Sequence, residues 1–162
     1  MAELKAFSVQ PGGGTSVANP VGGILTFKAL GEQTGGQLTA LETVAAPGEG
    51  PPLHLHRDEE EFIYVLEGRF KVKVGEEVIE ATPGAFVFIP RGAAHTWQNV
   101  DTAPGRFFAA VIPAAAAFEQ FFLRYAELPG EEKGPETFAR LAAETGALEI
   151  VGPPLAASAD TA

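Results

Sequence analysis

The sequence contains no cysteine, so disulfide bonds are excluded and any metal must be bound through nitrogen and oxygen ligands. It also lacks a run of about 18 apolar residues, the length that a membrane-spanning helix requires. The first residues, Met1 to Lys5, do not show the basic and then apolar pattern of a secretion signal. We therefore expect a soluble, cytoplasmic protein with no membrane partner.

Basic residues are scarce. The 162 residues include 11 Lys and Arg against 21 Asp and Glu, which gives a formal net charge of -10. This charge repels the phosphate backbone of nucleic acids, and the basic residues are scattered along the chain. Nucleic acid is therefore not expected as a partner, and the length is that of about one domain.

Short apolar runs separated by turns rich in glycine and proline predict an all-β core. The clearest strand is 69–74, where three apolar residues alternate with Arg69, Lys71 and Lys73. The other expected strands are 24–30, 37–45, 62–66, 78–81, 85–89, 96–100 and 106–112. Strands of this length at this spacing are typical of a sandwich or barrel.

After Pro113 the apolar period becomes helical. Phe118, Phe121, Phe122 and Tyr125 fall on one helix face, and a second helix is expected from Pro135 to Gly146. Such a stripe can pack on the barrel or line a ligand pocket, and packing is the commoner role. We divide the chain into four parts. They are an N-terminal arm (1–22), a barrel (23–113), helices packed on it (114–152) and a flexible tail (153–162).

The three histidines of the chain are its most informative residues. His54 and His56 are two positions apart, so on an extended strand their rings point to the same side. A bend follows before Glu61, and His95 comes after the turn that begins at Pro90. Two side chains from one strand, one from the next and one from across a barrel can surround a single point, as a metal ion requires.

These residues carry a resemblance to the cupin superfamily, whose two motifs are G-x5-H-x-H-x3,4-E-x6-G and G-x5-P-x-G-x2-H-x3-N. The first motif is complete from Gly48 to Gly68, and the second from Gly84 to Asn99. The run from His54 to Gly68 is most similar to the small, single-domain cupins described as quercetin-dioxygenase-like. The resemblance covers about residues 40 to 112.

The resemblance implies an all-β, double-stranded β-barrel of jelly-roll type, here with a short C-terminal helical extension. It implies that His54, His56, Glu61 and His95 bind one divalent transition metal, which can be Fe, Mn, Ni, Co, Cu or Zn. Four such ligands leave one or two positions open for substrate or dioxygen. The alternative is a barrel that has lost its metal and uses these residues as buried polar groups.

Which glutamate binds the metal depends on spacing, because the motif allows either Glu60 or Glu61. The six residues that must precede Gly68 select Glu61. Alternation along the strands from the ligands places three apolar residues beside the metal: Ile63, Val65 and Trp97. Phe86 or Phe88 is a further candidate for the substrate pocket, and for all five the alternative is simple barrel core.

The resemblance favours a dioxygenase that acts on a flavonol-like or other small aromatic or enolic substrate. Glu61 would then be both a ligand and the general base that accepts the substrate's hydroxyl proton. Two alternatives stay open: a metal-dependent isomerase or lyase acting on a sugar or oxo-acid, and a non-catalytic cupin that binds a small molecule. By the same resemblance we expect a homodimer.

Overall fold

The computed structural model describes residues 3–155, and its strands form two antiparallel β-sheets. The first sheet has six strands in the order β1-β2-β3-β10-β5-β8. These are β1 (Thr15–Ala18), β2 (Ile24–Ala29), β3 (Thr39–Ala45), β5 (Glu60–Glu67), β8 (Phe86–Ile89) and β10 (Gly105–Ile112). The second sheet has five strands in the order β11-β4-β9-β6-β7. These are β4 (Pro52–Leu55), β6 (Phe70–Val74), β7 (Glu77–Ala81), β9 (His95–Asn99) and β11 (Glu149–Pro154).

The two sheets form the jelly-roll barrel that the sequence predicts. Alternation along each strand buries one face, as in β10, where Phe107, Ala109 and Val111 are 0 to 2% exposed. Phe70 and Val72 on β6 reach the same core from the other sheet. The fold class is thus confirmed, including the short helical extension after the barrel.

Two helices, α1 (Ala116–Glu127) and α2 (Pro135–Thr145), follow the barrel, with a 3-10 turn (Gly130–Glu132) between them. All four aromatic residues of the α1 stripe are buried. Phe118 and Phe122 contact Phe27 of β2, with ring centroids 6.4 and 6.2 Å apart, and Phe121 contacts Phe138 of α2 at 5.1 Å. No helix in the described part of the chain is long and apolar enough to span a membrane.

Strands β1 and β11 were not expected from the sequence. Strand β1 lies inside the segment we assigned to the arm, and it pairs with β2. Strand β11 lies beside β4 and includes residues 153 and 154, which we assigned to the tail. Residues 156–162 of that tail are outside the described range. Neither strand carries a clear alternating pattern, because β1 has only four residues and β11 contains Gly152 and two prolines.

Asn99, the last residue of the second motif, joins the end of β9 to two loops. Its side-chain amide donates to the carbonyls of Ala45 and Ala103 at 2.9 and 3.0 Å, and its oxygen accepts from the Asp101 N–H at 2.8 Å. The residue is completely buried. Water cannot reach the Asn99 amide in the folded protein, so these three contacts take the place of its hydrogen bonds to water.

We predict that Asn99→Ala lowers the free energy of unfolding by about 2 to 4 kcal/mol, because two buried carbonyls and one N–H lose their partner. Urea denaturation followed by circular dichroism measures the change. The neighbouring Gln98→Ala is the control, since Gln98 makes a single exposed hydrogen bond of 3.4 Å, and its effect should be within about 0.5 kcal/mol. Equal effects of the two substitutions would contradict the role assigned to Asn99.

Candidate metal centre

Three strands from both sheets bring the histidines and Glu61 together. His54 lies on β4, His56 follows that strand directly, and His95 begins β9, where it pairs with His54 across the sheet. Glu61 approaches from β5 in the opposite sheet. One ligand atom from each histidine lies within 4.8 Å of the other two, so the three rings surround one point as the sequence predicts.

A backbone carbonyl fixes the orientation of each imidazole ring. The Nδ1 atoms lie 2.7 Å from Pro52 O (His54), 3.0 Å from Ala147 O (His56) and 3.0 Å from Ala93 O (His95). A carbonyl can only accept, so each Nδ1 carries a hydrogen and, in the neutral ring, each Nε2 presents a lone pair. All three rings are buried, with 7% exposure or less.

Glu61 lies against two of these nitrogen atoms. Its Oε2 is 3.1 Å from His95 Nε2 and 3.5 Å from His56 Nε2, and the latter is the one fully buried side-chain polar atom of residues 3–155 that lacks a hydrogen-bond partner. Between neutral rings and an ionised carboxylate, lone pairs would face lone pairs. Only a proton or a metal cation between these atoms removes the repulsion between their lone pairs. The donor set of three imidazole nitrogens and one carboxylate oxygen therefore fits a divalent transition metal.

The charges within this group are strongly coupled. Burial and the neighbouring His95 and His56 lower the pKa of His54 well below its usual value. Burial opposes the charge of His56 as well, but the contact with Glu61 outweighs it and raises the pKa of His56. Burial alone would raise the pKa of Glu61, yet hydrogen bonding and charge from His56 and His95 hold it below the usual range. Glu61 is therefore ionised at neutral pH.

Glu60, the other glutamate that the motif spacing allows, points to the surface. Its carboxylate accepts two hydrogen bonds from the Arg91 guanidinium, at 2.8 and 2.7 Å. This bidentate pair lowers the pKa of Glu60. The structure thus places Glu61 beside the histidines and Glu60 outside the barrel.

The cavity beside the histidines is narrow and mostly apolar. Its volume is about 50 Å³, and its aromatic lining residues are Trp97, Phe107, Phe118, Phe122 and Phe138. Two residues of the α1 stripe, Phe118 and Phe122, therefore both pack on the barrel and line the cavity. Sites for drug-sized ligands usually measure about 300 to 1,000 Å³. An aromatic substrate can therefore enter only if side chains of α1 and α2 turn aside.

The five residues we expected in the substrate pocket are placed differently from one another. Trp97 lines the cavity, while Ile63 and Val65 are fully buried in the core and are not among its lining residues. For Phe86 and Phe88 the expectation was wrong, because they lie on the outer face of β8 with 59% and 55% exposure. Ile89, not Phe88, pairs with Glu61, so Val87 and Ile89 are the inward residues of that strand.

Two supporting contacts were not foreseen from the sequence. The Gly92 N–H donates to the backbone carbonyl of His56 at 2.7 Å, which joins the turn before His95 to the strand that carries the other histidines. The Ala147 carbonyl, just beyond α2, orients His56. Both use backbone atoms, which leave no signature in the side-chain sequence; only the glycine of the motif, with φ of +77°, marked the first.

We predict that His56→Ala and Glu61→Gln each weaken metal binding by on the order of 100-fold or more, because loss of an outer partner alone typically costs 10- to 100-fold. Elemental analysis of protein purified without chelators, with competition against a coloured chelator, measures this. Glu60→Gln is the matched control, since it makes the same chemical change one residue away and should retain the wild-type metal content. A loss of metal in Glu60→Gln but not in Glu61→Gln would refute the assignment.

Comparison with known proteins agrees with this geometry. The family model described as "Cupin domain" matches residues 41–111. The chain is 30% identical to the tetracenomycin polyketide synthase protein TcmJ of Streptomyces glaucescens over 92 residues, which cover 57% of this chain and 60% of TcmJ. It is 29% identical to quercetin 2,3-dioxygenase of Bacillus subtilis over 75 residues, or 46% of this chain and 22% of that enzyme. The chain thus spans less than two thirds of the length of these curated relatives.

Solved structures show the same fold at low sequence identity. KdgF from Halomonas sp. superposes with a TM-score of 0.60 at 17% identity, over 69% of this chain and 96% of KdgF. The polyketide cyclase RemF from Streptomyces resistomycificus gives a TM-score of 0.58 at 22% identity, over 67% of this chain and 80% of RemF. Both motifs, the two-sheet barrel and the three-histidine cluster are present, so this chain contains a cupin domain.

Proposed function

We propose that this protein is a metal-dependent dioxygenase that acts on a flavonol-like or other small aromatic, enolic substrate. The observation that carries the proposal is the convergence of three imidazole Nε2 atoms and an ionised carboxylate at the end of an aromatic-lined cavity. Two comparisons support the substrate class, since the name of one relative refers to quercetin, a flavonol, and the name of the other to a polyketide.

The proposed chemistry gives each residue of the site a task. His54, His56 and His95 would hold the metal through Nε2, and their Nδ1 hydrogen bonds keep the rings from turning. A bound divalent ion would supply Lewis acidity toward an enolic oxygen and redox access to dioxygen. Glu61, ionised and buried, would accept the enolic proton on its carboxylate. The aromatic walls would exclude bulk water and hold the substrate ring.

Oxygen uptake tests this proposal. Protein loaded separately with Fe, Mn, Ni, Co, Cu or Zn should consume dioxygen with quercetin or catechol for at least one metal. Glu61→Gln should lower kcat/KM by about 100-fold or more, the usual contribution of a general base. The matched control, Glu60→Gln, should stay near wild type because its side chain lies outside the barrel.

If protein shown to be metal-loaded consumes no oxygen with any metal and substrate, the dioxygenase proposal is refuted. Isomerase or lyase activity on sugars and oxo-acids would then be the next assay. Metal-dependent binding of a small molecule without turnover would identify a non-catalytic cupin.

We further propose that two copies of this chain form a homodimer through an aromatic patch on the outer face of the first sheet. The patch consists of Phe62, Tyr64, Phe86, Phe88 and Phe108. Three of its rings are in contact: the Phe62 centroid lies 5.3 Å from that of Phe86 and 6.0 Å from that of Phe108. Large exposed aromatic clusters are unusual on monomers. A second copy offers the same patch, and apolar contact can offset the repulsion between two chains of charge -10.

The double variant Phe86→Ser, Phe88→Ser should convert the dimer to a monomer, because it removes the two most exposed rings of the patch. Light scattering should give a mass of 16.9 kDa for the variant and twice that for the wild type. Val78→Ser is the control, since Val78 is 52% exposed on β7, in the other sheet. A wild-type mass of 16.9 kDa would refute the dimer.

A further inference from the structure

Three polar side chains line the cavity beside the metal ligands without using their full hydrogen-bonding capacity. They are Asn19, directly after β1, Thr43 on β3 and Trp97 on β9. All are more than nine-tenths buried, with 9%, 2% and 7% exposure. None takes part in the histidine cluster, and the proposed reaction assigns no task to their polar groups.

Their unused groups can be named atom by atom. The Asn19 oxygen accepts from the Val21 N–H at 3.2 Å, but its amide nitrogen has no acceptor among residues 3–155. The Thr43 hydroxyl and the Trp97 indole N–H likewise have no partner in the described part of the chain. The cavity wall therefore presents amide and indole donors and one hydroxyl that can donate or accept.

Comparable residues elsewhere in the core do not leave such groups unused. The Thr39 hydroxyl lies 2.6 Å from the Glu119 carboxylate, and the Thr96 hydroxyl donates to the Pro51 carbonyl at 2.7 Å. Asn99, also fully buried, uses both ends of its amide. Unpaired polar groups cost stability, so three of them in the lining of one cavity, contributed by both sheets, point to a ligand that pairs with them.

The strand register places Thr43 far from Glu61. On β10, Val111 pairs with Glu61 and Phe107 pairs with both Thr43 and Val65. Four residues along an antiparallel strand correspond to about 13 Å. Trp97 lies two residues beyond His95 on the same face of β9, or about 7 Å along the strand. We call Asn19, Thr43 and Trp97 the polar wall. Thr43 and Trp97 lie away from the metal ligands, toward the other end of the cavity.

We propose that Asn19, Thr43 and Trp97 bind a second oxygen of the substrate, remote from the enolic oxygen that approaches the histidines. This inference rests on the proposed function and specifies its substrate further: an elongated, planar molecule with an oxygen group toward each end. No Lys or Arg is among the described residues that line the cavity, so nothing there would balance the charge of a buried anion. The distal oxygen is therefore a neutral hydroxyl or carbonyl and not a carboxylate or phosphate.

Two flavonols serve as probes of the polar wall. Both carry the enolic hydroxyl that would approach the histidines, and they differ in the hydroxyls on their two outer rings. Kaempferol carries additional hydroxyls there, and 3-hydroxyflavone carries none. Binding is measured by calorimetry with metal-loaded protein under nitrogen, so that no turnover occurs. We expect wild-type protein to bind kaempferol about tenfold more tightly than 3-hydroxyflavone, the effect of one or two net hydrogen bonds.

The isosteric variant Thr43→Val should reduce this preference by about fivefold and leave the affinity for 3-hydroxyflavone unchanged. Trp97→Phe removes the indole N–H together with part of the ring, so it should reduce the preference by a similar factor and weaken the binding of both flavonols. Thr26→Val is the matched control, because Thr26 bonds Ser16 on the outer face of the sheet. Thermal melting of each variant checks that it is folded. Trp97 is the only tryptophan of the chain, so quenching of its fluorescence provides a second binding signal for Thr43→Val.

An unchanged preference in both variants would overturn the polar wall and leave the proposed function intact. A Thr43→Val variant that melts at a higher temperature and keeps the wild-type preference for kaempferol would also refute the polar wall. The Thr43 hydroxyl would then bind only a trapped water molecule. If the metal-loaded wild type binds neither flavonol, the proposed substrate class and the polar wall are both overturned.

Discussion

The hydrogen bond from each histidine Nδ1 to a backbone carbonyl is the contact on which the rest of this site depends. It determines which nitrogen carries the proton and which presents a lone pair, so without it the same three side chains could turn into other pairings. The three carbonyls belong to separate parts of the chain: Pro52 begins β4, Ala93 lies in the turn before β9, and Ala147 follows α2. The three imidazole rings are therefore oriented only when barrel, turn and C-terminal segment are all in place.

The C-terminal segment, from α2 to β11, therefore takes part in building the site. Strand β11 pairs with β4, so that Ile150 lies opposite His54, and Arg57 forms an exposed ion pair with Glu149 beside them. Gly146 ends α2 in the left-handed conformation, with φ of +70°, and turns the chain so that the Ala147 carbonyl meets His56. An exposed ion pair contributes little stability by itself. The strand pairing and the buried carbonyl attach the helices to β4 and to His56, which follows it.

Side-chain chemistry with a fixed spacing could be predicted from the sequence, and backbone contacts could not. His54 and His56 share a face because strands alternate with period two. The spacing to Gly68 selects Glu61, which lies against His95, over Glu60, which lies against Arg91. Gly68 itself has φ of +84°, and a Cβ atom added to it would lie only 2.9 Å from the Cα of Gly105. By contrast, the run Ala85 to Ile89 is apolar throughout, so alternation could not determine its inward face, and Phe86 and Phe88 were placed wrongly. Ala147 acts through a carbonyl that every residue possesses.

The aromatic residues of α1 and α2 connect stability with access to the site. Phe118 packs against Phe27 and lies 5.8 Å from the His56 ring, so one side chain belongs at once to the core and to the wall beside a metal ligand. A cavity of about 50 Å³ next to the histidines follows from this close packing. A substrate with several rings must displace such side chains, and their contacts are regained only with the substrate as the new partner. The same packing that shields the imidazoles from water thus also limits access to them.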